Sequence, residues 1–518
     1  MSGRDRRVVF AIVASSSAGA FAIATFSAIF PAISADFDLN IDNVGLGLKV
    51  PVVSSLLVVF LAGSLGDRLG QRRVAGIGGL VFCAGTLVVL AAPNLAAVIA
   101  GRTLEGLGAA TLMIGAVAVT RSAFADQRVR AVVYGIQAAT VPAVFFLAPT
   151  LAAVAARHAS WRLVPAVLAL IGGLATLAVW RFFPGEDREQ EQGPRPELIT
   201  PTLAGVTLAA TAGAAVAFAT SRTTALVLAG VAVVAVLALL VSLRKVSEPA
   251  LDLSPLKIRG FPPALLAAAI PVAVNFFFFT SLLIEYHYDY GLVAAAAVMA
   301  PASLLSAGAG YLGGRLMARR GPALTAVLGL SIAVVAALLG LFVKEGSAAW
   351  FPLLVVCGYA CGDTIAIAGL TANILNRVPG SLAGAGASLR KVATALGATA
   401  GAVLVGMVIF GAYERELSRS IDETVITRQD AEEAARQMRL GEGSEQLAEG
   451  LAAKYPQANE VIYLRVPALE EAEIVGYRTA SGLAAIAYGL TIVLLLYSRR
   501  SLATEASGGR RPQVSSPL

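Results

Sequence analysis

Long apolar runs constrain the fold of this chain more than any other feature of its sequence. Fourteen stretches are each about as long as the ~20 mainly apolar residues that a helix needs to cross a bilayer. Several contain glycine or proline, which a helix packed among other helices tolerates in a membrane. The pattern predicts an all-α polytopic membrane protein with spans at 9–33, 44–65, 74–93, 96–119, 131–155, 161–183, 200–220, 223–243, 262–286, 292–314, 323–343, 348–374, 383–411 and 474–498.

The composition excludes several other protein classes. Charged residues make up 14% of the chain and hydrophobic residues 57%, against about 25% and about 45–50% in soluble domains. A soluble enzyme, a disordered protein and a nucleic-acid binder are therefore not expected, despite a net charge of +7. The sequence has no nucleotide-binding loop and no metal-binding spacing, and its three cysteines form no disulfide framework. We predict no enzymatic activity, no catalytic residues, no metal and no cofactor.

Lysine and arginine predict the orientation, because cytoplasmic loops carry an excess of both. With the N-terminus placed inside, the inside connections carry 24 of these residues and the short outside loops carry four. One missed or invented span would spoil this pattern. We therefore predict a multi-pass protein of the plasma (inner) membrane with both termini in the cytoplasm.

The outside connection 413–473 differs from the rest of the chain. It holds 14 acidic and 7 basic residues, and long loops translocate largely regardless of charge. Residues 427–440 begin with a variant of the capping-box pattern, and 444–455 are amphipathic. We predict an extracytoplasmic helical hairpin over the outer mouth, with a solvated loop as the alternative. A partner protein could bind there.

An internal repeat divides the chain. Residues 63–70, GSLGDRLG, and 314–321, GRLMARRG, share glycine, leucine and arginine positions at a shift of 251 residues, and each follows a span. Matching turns in two halves suggest two six-helix bundles related by a pseudo-two-fold axis, with two helices left over. The predicted parts are the N-terminal bundle 1–183, a cytoplasmic linker 184–199, two additional helices 200–243, a cytoplasmic loop 244–261, the C-terminal bundle 262–498 and a cytoplasmic tail 499–518.

Four motifs carry a resemblance to a known family. Residues 63–73, GSLGDRLGQRR, resemble the loop signature between helices 2 and 3 of the major facilitator superfamily. The stretch 102–108, RTLEGLG, resembles its helix-4 motif, and 160–162, SWR, resembles a pattern before helix 6. Ser388 and Arg390 with Gly397 resemble the pattern near its penultimate helix. With fourteen spans and an outer domain before the last helix, the chain resembles the fourteen-helix drug:proton antiporter branch, which implies transport by alternating access. We expect a monomer.

The resemblance implies that the first loop signature forms a cytoplasmic gate. Glycine there lets backbones turn and helices approach closely. Asp67 can accept bonds from arginine and from a helix N-terminus, while the arginines pair with it, contact lipid headgroups or only fix the topology. Ala318 stands where the second copy would carry the aspartate, so the gate is expected to be asymmetric. The gate residues are Gly63, Asp67, Arg68, Gly70, Arg72 and Arg73.

Charges inside spans are rare and mark functional positions. Arg102 and Glu105 lie one helical turn apart and resemble the family's helix-4 position for proton coupling, although the family usually has glutamine in place of Glu105. The alternative is a structural ion pair. Asp363 lies mid-span among small residues that could admit water or a cation. Glu285, near the outer end of its span, is either interfacial or part of an outer gate. These four are the candidates for proton coupling.

A run of aromatic residues predicts a surface for lipophilic substrates. Asn275 precedes the four residues Phe276, Phe277, Phe278 and Phe279, which point all round a helix, so at least one or two should face a central cavity unless all pack in the core or against lipid. Lys49 and Arg390 are further cavity candidates, whereas Lys391 is expected at the headgroups. Cavity carboxylates are few, so a highly cationic substrate is not expected.

Two positions depart from the resemblance. The antiporter branch usually carries an aspartate in helix 1 where this chain has Ala22, and helix 5 has alanines around Pro149 where glycines are usual. Proton coupling would therefore have to use Asp363 or Glu105. The leading prediction is an exporter of lipophilic or amphipathic small molecules by proton antiport. The alternatives are a lipid or cell-envelope exporter without strict coupling and a transporter-derived scaffold or sensor.

Overall fold

A computed structural model describes residues 2–37, 44–185, 197–217, 222–245, 252–274, 276–288, 290–420 and 466–508. Within these ranges the regular structure is entirely helical and no strand occurs. The first half contains α1 Gly3–Asp36, α2 Val44–Leu57, α3 Val59–Leu69, α4 Gln71–Leu90, α5 Leu95–Ala123, α6 Gln127–His158 and α7 Leu163–Phe182. Two helices follow, α8 Ile199–Ala217 and α9 Arg222–Lys245. The second half contains α10 Phe261–Ala273, α11 Phe276–Leu282, α12 Gly291–Arg320, α13 Pro322–Gly340, α14 Trp350–Leu375, α15 Ala383–Ser420 and α16 Val466–Gly508.

Every predicted span lies on helix, but not all of these helices are long and apolar enough to cross a bilayer. Among the described residues nine are long and apolar enough, or ten if α2 and α3, which are bent by 42° at their junction, form one span. The apolar parts of α8 and α10 are shorter. The chain is therefore a multi-pass membrane protein, and the count of fourteen stays a prediction. Helices α15 and α16 extend beyond the predicted ends at 411 and 474, and residues 421–465 of the predicted hairpin lie outside the described residues.

Each half has its own apolar core. In the first half α1, α4, α5, α6 and α7 surround buried residues such as Phe26, Phe82 and Leu112. In the second half α10, α13, α14 and α16 surround Phe276, Leu330 and others. Helix α8 packs against α9, α2 and α3, outside both bundles. The outer face of α9 exposes large apolar side chains such as Leu226, 74% accessible, which suits contact with lipid.

The two copies of the repeated turn have the same backbone geometry. Gly70 joins α3 to α4 with a φ of 97°, and Gly321 joins α12 to α13 with a φ of 84°. Only glycine adopts this region without strain. The helices before the two turns also reach the opposite half in a matching way, because α3 contacts α15 and α12 contacts α6.

Helices α6 and α12 touch through backbone at Gly135 and Gly314. A β-carbon on Gly135 would collide with the Cα of Gly314 and lie 2.8 Å from the carbonyl oxygen of Gly310. We expect Gly135→Leu to force the helices apart, to cost about 1–3 kcal/mol as an overpacked substitution, and to slow any transport. The thermal unfolding temperature of the purified protein measures the first effect. Gly308→Leu on α12 is the control, since nothing lies within 4 Å of its β-carbon position; equal behaviour of both variants would contradict the prediction.

Candidate functional site

A cavity of about 580 Å³ lies between the two halves. Helices α1, α5 and α6 contribute its walls on one side, and α10, α11, α12, α14 and α15 contribute them on the other. Most of its lining is apolar, for example Met113, Val117 and Phe277. The charged residues among the described lining are Asp363, Arg390 and Lys391. The site is thus a mainly apolar chamber with few charged groups, as is typical of small-molecule sites.

Asp363 is held by a chain of tyrosines. Its carboxylate accepts a short hydrogen bond from the hydroxyl of Tyr488 on α16. The Tyr488 hydroxyl is 2.8 Å from that of Tyr359, which lies 3.3 Å from the carbonyl oxygen of Val274. Tyr488 is 1% accessible. A change in the charge of Asp363 would therefore alter hydrogen bonds that connect three helices, α10, α14 and α16. The sequence motifs did not point to Tyr488, although a tyrosine inside an apolar span was a visible signal.

Arg390 and Lys391 both line the cavity from α15. No acidic residue of the described parts of the chain lies within ion-pair distance of either side chain. Arg390 interacts electrostatically with Tyr134 on α6 and with its neighbour Lys391. Lys391 was expected at the headgroups, but it lines the cavity, because eight residues of α15, about 12 Å of helix, separate it from the helix start at Ala383.

Arg102 and Glu105 form a buried ion pair on α5, outside the cavity lining. The Arg102 Nη1 atom is 2.5 Å from Glu105 Oε2 and donates to the carbonyl oxygen of Ala22 at 3.0 Å. The guanidinium also stacks 4.1 Å from the centre of the Phe26 ring. The two residues are 2% and 1% accessible. Arg102 therefore meets helix α1 at Ala22, where the resemblance places an aspartate, and obtains its carboxylate from Glu105.

Asp67 joins the two halves at the end of the bundle where α15 begins, here called the Asp67 end. Its Oδ1 accepts from the backbone nitrogen of Gly384 at 2.7 Å, and its Oδ2 accepts from that of Ala385 at 2.8 Å. Gln71 Nε2 also donates to Oδ1 at 3.3 Å. Helix N-termini favour such a carboxylate, because their first N–H groups lack intrahelical partners. Arg68 and Arg72 form no ion pair with Asp67, so the pair considered for these two arginines does not occur among the described residues.

Two arginines that served above only to predict the membrane orientation also link the halves at this end. Arg121 Nε donates to the carbonyl oxygens of Leu375 and Val378 at 2.9 and 3.0 Å. Arg130 Nε donates to Asn376 Oδ1 at 3.2 Å. The bond from Ser388 Oγ to the Val59 carbonyl oxygen at 2.6 Å and the two bonds at Asp67 link the halves at the same end. The cavity is therefore closed at the Asp67 end.

Asp67→Ala is expected to loosen this closure. It removes the acceptor for two N–H groups at the start of α15, and loss of such a cap costs about 0.5–2 kcal/mol. Transport turnover should fall, and a cysteine placed at the buried Ala387 beside the closure should react faster with a membrane-impermeant maleimide. A background without Cys83, Cys357 and Cys361 makes the labelling specific. Asp67→Asn keeps one acceptor and should lose less transport turnover than Asp67→Ala. Unchanged turnover and labelling in Asp67→Ala would refute the role of Asp67 in the closure.

The aromatic run and the remaining candidates occupy different environments. Phe277 lines the cavity, whereas Phe276 is buried in the second-half core, 4.8 Å from the Tyr359 ring. Phe279 packs against that same core. Asn275 lies outside the described residues, as do the side chains of Lys49, Phe278 and Glu285.

The SWR motif has a structural role at the opposite end of the first half. Trp161 Nε1 and Arg162 Nη1 donate to Asp36 Oδ2 at 3.1 and 2.9 Å. These bonds tie the end of α1 to the start of α7, and they lower the pKa of Asp36 below its usual range. The motif therefore fixes the ends of two helices rather than lining the cavity.

Comparisons with known proteins agree with this architecture. Residues 11–402 match the family model of the Major Facilitator Superfamily. The multidrug efflux pump LfrA of Mycolicibacterium smegmatis is 28% identical over 372 residues, 70% of this chain and 72% of that protein. The multidrug resistance protein Stp of Mycobacterium tuberculosis is 26% identical over 413 residues, 76% of this chain and 75% of that one.

Solved structures share the fold at low sequence identity. The human organic anion transporter MFSD10 (TETRAN) superposes with a TM-score of 0.63 at 13% identity, covering 96% of this chain and all of that one. The proton:xylose symporter XylE superposes with a TM-score of 0.56 at 11% identity, covering 94% and 95%. At these identities the likeness concerns the fold alone.

Proposed function

Because the chain belongs to the Major Facilitator Superfamily, a family of transporters rather than enzymes, we propose that it is a secondary active exporter of lipophilic or amphipathic small molecules, driven by proton antiport. Its similarity to multidrug efflux pumps over about three quarters of its length supports export. The observation that carries the proposal is the carboxylate of Asp363 on the wall of a mainly apolar cavity between two halves that are joined at one end.

The proposal includes the fourteen-helix topology. Helices occupy all fourteen predicted runs, and two of them, α8 and α9, lie outside the two bundles, as expected for the fourteen-helix antiporter branch. The excess of basic residues in the predicted inside loops supports cytoplasmic termini, and the proposal puts the protein in the plasma membrane. In that orientation the Asp67 end is the cytoplasmic gate, shut in this structure. The protein acts as a monomer.

Asp363 is the carboxylate best placed to carry the proton. It lines the cavity, whereas Glu105 does not and is paired with Arg102. A neutral Asp363 and a charged one bond differently to Tyr488, so protonation changes the relative free energies of the two facing states. A ligand or proton shifts such an equilibrium only by its difference in affinity for the two states. Proton entry can thereby drive export.

The test is flux in proteoliposomes that contain the purified protein. Three fluorescent probes that share the dansyl group are followed with and without a pH gradient. They are dansylglycine, an anion, dansylglycinamide, which is neutral, and dansylcadaverine, a cation. Gradient-dependent movement of at least one probe, absent from protein-free vesicles, is expected. No movement of any probe would overturn export of this substrate class.

A second candidate is a lipid or cell-envelope exporter without strict proton coupling. The contact between Arg102 and Ala22 favours it, because the antiporter branch usually has a carboxylate at the latter position. In that case a fluorescent phosphatidylglycerol would be translocated equally with and without the gradient. A third candidate is a scaffold or sensor that binds a partner protein at the predicted hairpin 413–473. Measured flux of any substrate would exclude this third candidate.

A further inference from the structure

Four hydrogen-bond donors on one stretch of the cavity lining have no bonding partner among the described residues. The buried Nε of Arg390, the hydroxyl of Tyr134 and the Nε2 of Gln137 make no hydrogen bond in the described structure. Lys391, next to Arg390, forms no ion pair with any described residue. All four residues line the cavity, two from α15 of the second half and two from α6 of the first.

No acidic residue among those that the structure describes pairs with the two cations of this cluster. Asp363 is the acidic residue of the described cavity lining, but it accepts its hydrogen bond from Tyr488 and lies beyond ion-pair distance of both cations. Unpaired charges inside a membrane protein are costly, and they commonly mark a substrate or ion pathway. Buried polar groups without partners are costly as well, so their retention requires an explanation.

The remainder of the cavity suits an apolar body. Met113 and Val117 of α5 and Phe277 of α11 contribute apolar surface. A volume of about 580 Å³ lies within the range of about 300–1,000 Å³ that holds drug-sized ligands. The cavity thus combines a donor-rich, positively charged patch with an apolar remainder.

We propose that Arg390, Lys391, Tyr134 and Gln137 bind the anionic group of the transported molecule, so that the substrate is an amphipathic organic anion. The inference rests on the proposed export function and names its substrate class. Arginine and lysine donate charge-assisted hydrogen bonds to carboxylate, sulfonate or phosphate oxygens. Because the cluster joins α6 to α15, a bound anion links the two halves next to the closed Asp67 end.

The test compares the three dansyl probes. Dansylglycine and dansylglycinamide form the matched pair that differs in charge, and dansylcadaverine adds a cation on a longer alkyl chain. Wild-type protein should transport dansylglycine with a kcat/KM at least about tenfold above that of dansylglycinamide, and dansylcadaverine should be the poorest. Arg390→Gln and Lys391→Gln should each reduce kcat/KM for dansylglycine about tenfold or more, the range for removing one partner of a desolvated charge pair. The ratio of dansylglycine to dansylglycinamide transport should fall in parallel.

Controls separate charge recognition from folding. Lys344→Gln removes an exposed charge outside the cavity and should leave every rate unchanged. Arg390→Lys keeps the charge and should retain more dansylglycine transport than Arg390→Gln. Tyr134→Phe removes one neutral donor and should raise KM for dansylglycine with little effect on dansylglycinamide. Thermal unfolding temperatures of all variants show whether each is folded.

A second arm identifies the source of the anionic group. Fluorescent phosphatidylglycerol carries an anionic headgroup on a lipid body, and dansylglycine carries its carboxylate on a soluble one. Transport of either in an Arg390-dependent manner supports the anion site and identifies its substrate as lipid or soluble. If neutral or cationic probes are transported as well as dansylglycine, or Arg390→Gln slows all probes equally, the anion site is refuted while export stands. If no probe moves, export itself fails.

Discussion

Asp363→Asn is expected to abolish transport driven by a pH gradient while substrate binding persists. Asparagine keeps the size of the side chain and can accept a hydrogen bond from Tyr488, but it cannot bind and release a proton. Asp363 is the acidic group of the described cavity lining, so its loss would leave the cavity without a proton carrier. Gradient-driven accumulation of the probe in proteoliposomes should fall to the level of protein-free vesicles.

Binding and folding are measured separately in the same variant. Stabilisation of the purified protein by the probe in thermal unfolding should be retained, because the cluster at Arg390 and Lys391 is intact. Glu345→Gln, an exposed carboxylate in the loop between α13 and α14, is the matched control and should transport as the wild type does. Wild-type rates in Asp363→Asn would remove Asp363 from the coupling mechanism.

Tyr488→Phe is a graded companion to this substitution. It deletes the hydroxyl that donates to Asp363 but leaves the carboxylate. Transport should remain coupled, and its pH dependence should shift, because the charged carboxylate loses a hydrogen bond. An unchanged pH profile would indicate that the tyrosine only packs.

Glu105→Ala is expected to have the largest effect on stability. The substitution leaves the Arg102 guanidinium buried without its carboxylate, and breaking a buried pair by removing one partner costs about 3–5 kcal/mol. The bond to the Ala22 carbonyl oxygen and the stacking on Phe26 remain, but neither supplies a negative charge. Thermal unfolding of the purified protein measures the loss. Thr103→Val, at a half-buried position of the same helix, should cost far less.

Two further variants test why Glu105 is present. Replacing both partners, as Arg102→Met with Glu105→Leu, should restore much of the stability, since hydrophobic residues often replace a buried pair without loss. Glu105→Gln combined with Ala22→Asp moves the carboxylate to α1, where Arg102 already donates at 3.0 Å to the backbone. Recovery of stability and transport would show that Glu105 supplies the anion that α1 lacks. If Glu105→Gln alone behaved as the wild type, the pair would have little importance.

The sequence predicted those parts of the structure that depend on local pattern. Apolar runs located the helices, and the shift of 251 residues identified two turns that share a positive φ at Gly70 and Gly321. Asp67 was expected to accept bonds from arginine or from a helix N-terminus, and its partner is the N-terminus of α15, 317 residues away along the chain. No local pattern indicates which helix start comes to lie beside it, because that depends on how the two halves pack.

The features that sequence reasoning missed are also long-range. Tyr488 meets Asp363 across 125 residues, and Arg121 meets Leu375 across 254. Neighbouring residues on a helix point about 100° apart, so Arg390 alone could not indicate that Lys391 also faces the cavity. Knowledge of the cavity outline was needed to bring these two cations together with Tyr134 and Gln137.

The most direct test of proton-coupled export measures both fluxes in the same vesicles. Proteoliposomes contain the pH indicator pyranine, and substrate is added at zero membrane potential with no initial pH gradient. Proton antiport predicts that protons leave the vesicles as substrate enters them. The internal pH should therefore rise as substrate movement begins, and this rise should be absent in Asp363→Asn. Substrate movement without any change in internal pH, at the same rate in wild type and Asp363→Asn, would contradict it.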